Sequence, residues 1–404
     1  MLSKVGYATA FHGTWHLGDI EESYAHNQGF DEAFFTGYNQ ILSLWTRRGE
    51  QGNATIGLYE DMLPEDPYTL DDTVVSKGWA MVVEGKKGEK ARQWKDNSYE
   101  TYEQIDAEAQ KRTIEFIQRN ATSGKPFYVA NWPMMASFLP TGKKVSQGRS
   151  LLQDGLEGNV DPFVGKVMAT LKELGIAENT LLICNADNGP MAHNPPPGCG
   201  FTETIFRGGK GDFLEGGVRV PSQAWWPGVI EEGQIVGDII HEADLFTTFA
   251  RLAGATDHVP GDRVIDGIDQ TSLLMNGDTH SRRDYVFIYA GPNLGATVKG
   301  NYKRHWISPD PVGEASGIPA GFYFLPSDTR EKTPMLTNLI HLKTPFNRMR
   351  LRHQLWKKKY PDQKEKHGIP WTDIENATAE IKALANPPAN LKNLPFNPLE
   401  YIEN

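Results

Sequence analysis

Apolar positions along this chain switch between a helical period and short strand-like runs, and the switches mark out its elements. Tyr102, Ile105, Ala109, Ile114 and Ile117 fall near helical spacing over 102–118, and Gly124-Lys-Pro126 then leads into the β-prone Phe127-Tyr-Val-Ala130. Asp161-Pro162 offers an N-cap and a first-turn proline, followed by an apolar stripe of Phe163, Val164, Val167, Met168, Leu171 and Leu174 that stops at Gly175. Thr180-Leu-Leu-Ile-Cys184 is then a continuous apolar run, the pattern of a central parallel strand covered on both faces. Gly6 to Gly13 and Val218 to Trp226 read as further strands, 190–206 as a proline- and glycine-rich loop, and Asp244 to Gly254 as a helix with a glycine stop.

From about residue 283 the pattern changes to short strands between glycine turns, at 284–289, 296–298 and 302–306. The fold class expected is α/β: a largely parallel central sheet flanked by helices over 1–282, then a C-terminal subdomain over 283–404 with a smaller antiparallel sheet. Residues 346–360, ending in Lys357-Lys-Lys-Tyr360, predict a solvated amphipathic helix, and the proline-bearing stretch from Asn386 predicts an extended tail. No internal repeat is present.

A net charge of −10 argues against general nucleic-acid binding, so positive potential must be local, and Lys210 with Arg207 and Arg219 is its expected source. Two cysteines, Cys184 and Cys199, cannot build a disulfide-rich scaffold or a zinc site of repeated spacing; a single bridge between them stays open. Residues 1–20 carry polar and glycine interruptions and no stretch approaches the apolar length of a membrane span, so neither a signal peptide nor a spanning helix is expected. Asn53, Asn120 and Asn376 each open an Asn-Ala-Thr acceptor triplet, a pattern common by chance.

The chemistry concentrates in Cys184-Asn-Ala-Asp-Asn-Gly-Pro190, in the glycine-rich segment from Arg207 to Pro221, and in Trp15-His-Leu-Gly18. Asp187 and Asn188, at the end of an apolar strand, offer hard oxygen ligands to a divalent cation, although Asp-Asn-Gly is also ordinary turn chemistry. Lys210 lies in a loop whose glycines let an anionic ligand approach. His16 can relay a proton near neutral pH. Glu215 and Arg219 are expected to hold their loop by an ion pair, and His12 and His193 stay open between structural and chemical roles.

These segments, with Gly29-Phe-Asp31, Trp226-Pro-Gly228, the run 244–254 and Lys299-Gly-Asn-Tyr-Lys303, resemble the sulfatase family of the alkaline phosphatase superfamily over nearly the whole chain. The resemblance implies hydrolysis of sulfuric esters, of aryl or carbohydrate type. In that family a formylglycine hydrate, made from cysteine or serine, attacks the ester beside a calcium ion or another divalent cation. Asp187 and Asn188 would be metal ligands, His16 would take a proton as the sulfated intermediate breaks down, and Lys210 would hold the sulfate or the departing oxygen.

The chain also departs from the family pattern. Thr14 stands where the family usually places a sulfate-binding lysine, and Phe138-Leu-Pro140 stands where it usually has His-x-Pro. The family's two N-terminal metal-binding aspartates and its Cys-x-Pro-x-Arg nucleophile segment would lie before residue 1, and neither cysteine present matches that segment. Little or no turnover is therefore expected of the chain as given. The rival expectations are a phosphate or phosphonate ester hydrolase, a catalytically silent anion-binding relative, and a gene fragment.

Overall fold

The structure is a computed structural model, and it describes residues 1–18, 21–37, 82–95, 101, 104–133, 156–190, 205–276, 280–290, 293–307, 321–335 and 340–361. His193, Cys199, Phe138 to Pro140, the triplets at Asn53 and Asn376 and the tail from Asn386 lie outside the described residues. Two compact units are formed, one within Met1–Ala177 and one within Glu178–Asn194 and Phe201–Lys364.

The first unit is built on a five-stranded sheet of β1 (Ala8–Thr14), β2 (Glu32–Thr36), β3 (Val82–Lys86), β4 (Arg92–Gln93) and β5 (Phe127–Trp132), in the order β4-β3-β2-β1-β5. Strand β1 runs parallel to both β2 and β5, and β3 and β4 add an antiparallel edge. Every residue of β1 is buried, which is why this strand lacks the polar alternation of a half-exposed one. On one side Phe11 packs with Trp15, Tyr24, Phe35 and Val83. Ala8 and Ala10 receive Phe116 of helix α1 (Ile105–Ser123). The Gly29-Phe-Asp31 motif is structural: Phe30 joins the Phe11 cluster, and the Asp31 carboxylate accepts the Thr9 N–H at 3.0 Å while the Asp31 N–H returns to the Thr9 carbonyl at 2.9 Å.

Asn120, one of the acceptor candidates, is buried in α1 and donates its amide to the Phe116 carbonyl at 2.8 Å, so its nitrogen is already engaged. Helix α2 (Asp161–Glu173) begins directly after a helical turn at Leu156–Val160. Asp161 is thus its first residue rather than its cap, with Pro162 still in the first turn where no N–H is needed.

In the second unit β6 (Leu182–Asn185) pairs antiparallel with β7 (Ser222–Trp225), from Leu182 opposite Trp225 to Asn185 opposite Ser222. This corrects the central parallel strand expected at 180–184. An apolar run reports burial and not strand direction, and Leu182, Ile183 and Cys184 are only half-buried. The strand expected from Val218 is also shorter, because Glu215–Val218 forms one helical turn, α3, closed by the Arg219 N–H on the Glu215 carbonyl at 2.8 Å.

Helix α4 (Glu242–Leu252) opens with a capping box in which His241 accepts from Ala243 and Asp244 accepts from the His241 N–H. Asp244 is fully buried; burial opposes its charge, but Arg283 at 2.5 Å and the N–H groups of His241 and Ile268 hold its carboxyl below the usual range. After the short helix α5 (Thr271–Asn276), strands β8 (Tyr285–Ala290), β9 (Asn293–Lys299), β10 (Tyr302–His305) and β11 (Phe322–Phe324) form the expected antiparallel sheet, in the order β11-β10-β9-β8. Helix α6 (Ile340–Lys359) seats Phe346 against Phe322 and stacks His353 on Phe287, leaving Leu351 and Leu355 exposed beside its basic end. No helix among the described residues is long and apolar enough to cross a membrane.

One buried histidine generates a prediction. His12 on β1 is 1% exposed, with Nδ1 2.8 Å from the Thr113 hydroxyl, and burial together with Arg112 and Arg119 lowers its pKa from 6.5 to about 3. The unfolded chain therefore binds a proton that the folded chain refuses, and stability falls as pH drops from about 6.5 toward about 3. Replacing His12 by Gln is expected to flatten that fall, by a few kcal/mol across the window, when thermal midpoints of both proteins are compared against pH.

Candidate functional site

Within the first unit, the Trp-His-Leu-Gly segment leaves the end of β1. Trp15 is the anchor: it is buried against Phe11 with ring centroids 4.8 Å apart, and its indole N–H donates to the Ser23 carbonyl at 2.9 Å. The chain then turns sharply. His16 takes φ 53°, a left-handed conformation uncommon for a non-glycine residue, with its N–H on the Gly37 carbonyl at 3.0 Å, and its side chain is half-buried. Thr14 faces Thr36 across β1 and β2, and both hydroxyls are buried without a hydrogen-bond partner among the described residues. The position where a cationic side chain was expected is thus a neutral group inside the end of the sheet.

Within the second unit, Asp187 and Asn188 follow β6 directly. The Asn188 N–H donates to Asp187 Oδ1 at 2.9 Å and the Asn188 amide to the Gly189 carbonyl at 2.8 Å, a self-contained turn that leaves Asp187 exposed and Asn188 half-buried. Two backbone bonds join this turn to the Arg207–Pro221 segment: Gly189 N–H to the Gly217 carbonyl at 2.9 Å, and Lys210 N–H to the Pro190 carbonyl at 2.7 Å. Lys210 and the Asp-Asn pair, separate in sequence, are therefore held on adjoining backbone.

Glycine makes that approach possible. A Cβ at Gly189 would stand 1.7 Å from the Gly216 carbonyl oxygen, one at Gly216 would stand 2.3 Å from that of Gly208, and one at Gly217 would stand 2.4 Å from that of Gly209. Hydrophobic anchoring comes from Phe213 and Leu214, both buried. The Phe213 ring joins Ile288, Ala296, Val298 and Leu325 and lies over Gly295, where a Cβ would come within 2.6 Å of it. Lys210 is left half-buried at the turn.

Sequence reasoning missed the charged groups beneath. Glu215, expected to pair with Arg219, does so at 3.7 Å, but its closer partner is Lys303 at 3.0 Å. Lys303 also meets Glu331 at 2.9 Å, and Glu331 meets His305 Nε2 at 2.7 Å. Burial opposes the charge of Glu331, yet Lys303 and His305 hold its carboxyl below the usual range. Burial outweighs Glu331 at His305 and lowers its pKa, so the neutral ring donates Nε2–H to the carboxylate. Glu242, at the start of α4, was also missed: burial and the charge of Asp187 push its carboxyl up, against a 2.9 Å hydrogen bond from Asn185. Cys184 is half-buried in β6, and burial pushes its thiol up, away from the thiolate a nucleophile needs.

The glycine contacts predict a graded series. Gly216→Ala is expected to destabilise the protein by about 1–3 kcal/mol, whereas Gly237→Ala, with open space at its Cβ and an ordinary φ, stays within about 0.5 kcal/mol of the parent, as read from urea unfolding.

A protein-family model described as Sulfatase matches residues 1–255. N-acetylgalactosamine-6-sulfatase of Mus musculus is 31% identical over 313 residues, which are 76% of this chain and 53% of that protein. An arylsulfatase of Hemicentrotus pulcherrimus is 30% identical over 366 residues, 84% of this chain and 59% of that one. The chain thus spans about half the length of the curated relatives it matches. The crystal structure of a Pseudoalteromonas sp. sulfatase superposes with a TM-score of 0.72 at 29% identity, covering 90% of this chain and 73% of that one.

Proposed function

The chain belongs to the sulfatase family, and on that premise we propose that it serves the hydrolysis of sulfuric esters, of carbohydrate or aryl type. The observation that carries the reading is the pair of backbone bonds holding the Lys210 loop against the Asp187-Asn188 turn. An ammonium group at the tip of a glycine-rich loop suits a sulfate oxygen, since a charge-assisted hydrogen bond there is worth more than a neutral one. Lys210 is proposed to hold the sulfate or the departing oxygen. On the first unit His16, turned out of β1 by its left-handed backbone, is proposed to carry a proton. The names of the relatives, one acting on N-acetylgalactosamine-6-sulfate and one on aryl sulfates, support the substrate class.

Calcium, which the family implies, fits the described residues in kind but not in number. Carboxylate and amide oxygens of Asp187 and Asn188 suit a hard cation, which would lend its charge to the bound sulfate. Among the described residues no group of three His, Cys, Asp or Glu side chains is placed to hold a metal ion, however, and calcium takes six to eight oxygens. Cys184, inside a strand and with a raised thiol, does not fit the precursor of a formylglycine nucleophile. A second reading, anion binding without turnover, is favoured by Thr14, a buried neutral residue where a cation would help hold the sulfate.

Calorimetric titration with inorganic sulfate tests the site. Lys210→Ala is expected to weaken binding by about 10- to 100-fold, the loss of one hydrogen bond to a charged group; unchanged affinity would remove Lys210 from the site. Hydrolysis of an aryl sulfate in the presence of calcium, compared with the matching phosphate ester, separates a sulfatase from a phosphatase and both from a silent binder.

A further inference from the structure

The buried charges under the Arg207–Pro221 segment have no part in the reading above, although they touch its backbone. Glu331 Oε2 accepts the Glu215 N–H at 2.7 Å, at the first residue of α3. Its other oxygen takes Lys303 Nζ at 2.9 Å and His305 Nε2 at 2.7 Å, and Lys303 closes the circuit on the Glu215 carboxylate at 3.0 Å. Lys303, His305 and Glu331 are each 0% exposed and Glu215 is 5% exposed. Glu331 adopts φ 51°, a left-handed backbone that a glutamate does not take without contacts to hold it.

From Glu215 the path to the anion loop is backbone throughout. The next residue, Gly216, donates to the Arg207 carbonyl at 2.7 Å, and Gly217 accepts from Gly189 beside Asn188. We propose that Glu331 and Lys303 are positioning residues for the Lys210 loop: together they fix Glu215, and through the Gly216 and Gly217 backbone they set the loop in register with the Asp187-Asn188 turn. Neither side chain touches the ligand. Lys303 separates two carboxylates that would otherwise face each other in the interior, where an uncompensated charge is strongly disfavoured, and Arg219, 3.7 Å from Glu215, supplies the second positive charge. The proposal rests on the anion-site reading for its purpose, but not for its test.

Hydrogen exchange by mass spectrometry on the full chain reads the positioning directly. Lys303→Met keeps the buried bulk and leaves two carboxylates opposed; it is expected to speed exchange over 207–219 about tenfold or more while β9 changes less than about twofold. Adding Glu331→Gln, which removes one of those charges and keeps an oxygen for the Glu215 N–H, is expected to restore protection. Sulfate affinity should fall and recover in parallel. Unchanged exchange over 207–219, or an equal rise over the loop and β9, would overturn the proposal. Should Lys303→Met not fold, Glu331→Gln alone is expected to give a smaller rise confined to the same segment, and no rise there would overturn it equally. If Lys210→Ala leaves sulfate binding of the parent unchanged, the anion-site reading fails, while the exchange result still decides the positioning.

Discussion

Gly189 donates its N–H to the Gly217 carbonyl at 2.9 Å, and a side chain on Gly189, Gly216 or Gly217 would overlap neighbouring backbone. The candidate chemistry of the second unit depends on this approach of bare backbone. It sets the Asp187-Asn188 turn beside the segment that carries Lys210, and a second bond, from the Lys210 N–H to the Pro190 carbonyl, repeats the tie. A loop with half-buried and exposed ends and only a four-residue helix inside it has little cohesion of its own. Its register comes from those bonds, from Phe213 and Leu214 driven into the apolar core, and from the charges beneath Glu215.

The two units use charge in contrasting ways. Beside His12, Arg112 bridges Glu84 and Glu108, Arg92 also reaches Glu84, and Arg119 reaches Glu32; Arg92 and Arg119 are exposed, and Arg112 and the three glutamates are partly exposed. Pairs of this kind contribute about 0–1 kcal/mol each. The Glu215–Lys303–Glu331 set is dry, so breaking it by removing one partner costs about 3–5 kcal/mol, chiefly from the charge left unmatched. One interior lysine therefore outweighs several surface arginines, and the unit that holds Lys210 is the one with that asymmetry.

The left-handed residues mark where the fold is over-determined. His16 and Glu331 are the non-glycine residues with positive φ among those described, and each is pinned by neighbours: His16 by buried Trp15 and the Gly37 carbonyl, Glu331 by Glu215, Lys303 and His305. A conformation that costs free energy locally persists when contacts around it supply more. His16 lies inside a segment quoted for its likeness to the sulfatases, and Glu331 accepts the Glu215 N–H of another, which gives both segments a mechanical reading alongside their chemical one.

Local order was legible from the residues. The helices over 105–123, 161–173 and 242–252, the strands at 8–14 and 127–132 and the antiparallel sheet after 283 all follow from periodicity and from glycine and proline punctuation. So did the identity of the groups able to meet an anion or a cation, because residue type alone sets what Lys210, Asp187 and Asn188 can bind. The direction of β6 was not legible, since an apolar run reads the same beside a parallel or an antiparallel neighbour. Nor were the closer partners of Glu215, although the expected pair with Arg219 does form at 3.7 Å. Arg219 stood four residues away and drew the inference, while Lys303 lies 88 positions along the chain and Glu331 lies 116. Sequence by itself determined the elements and the chemistry available, because both depend on side chains and their near neighbours. Tertiary structure alone decided which charges meet, because burial strips away water and makes that choice energetically decisive, and burial is a property of the folded chain.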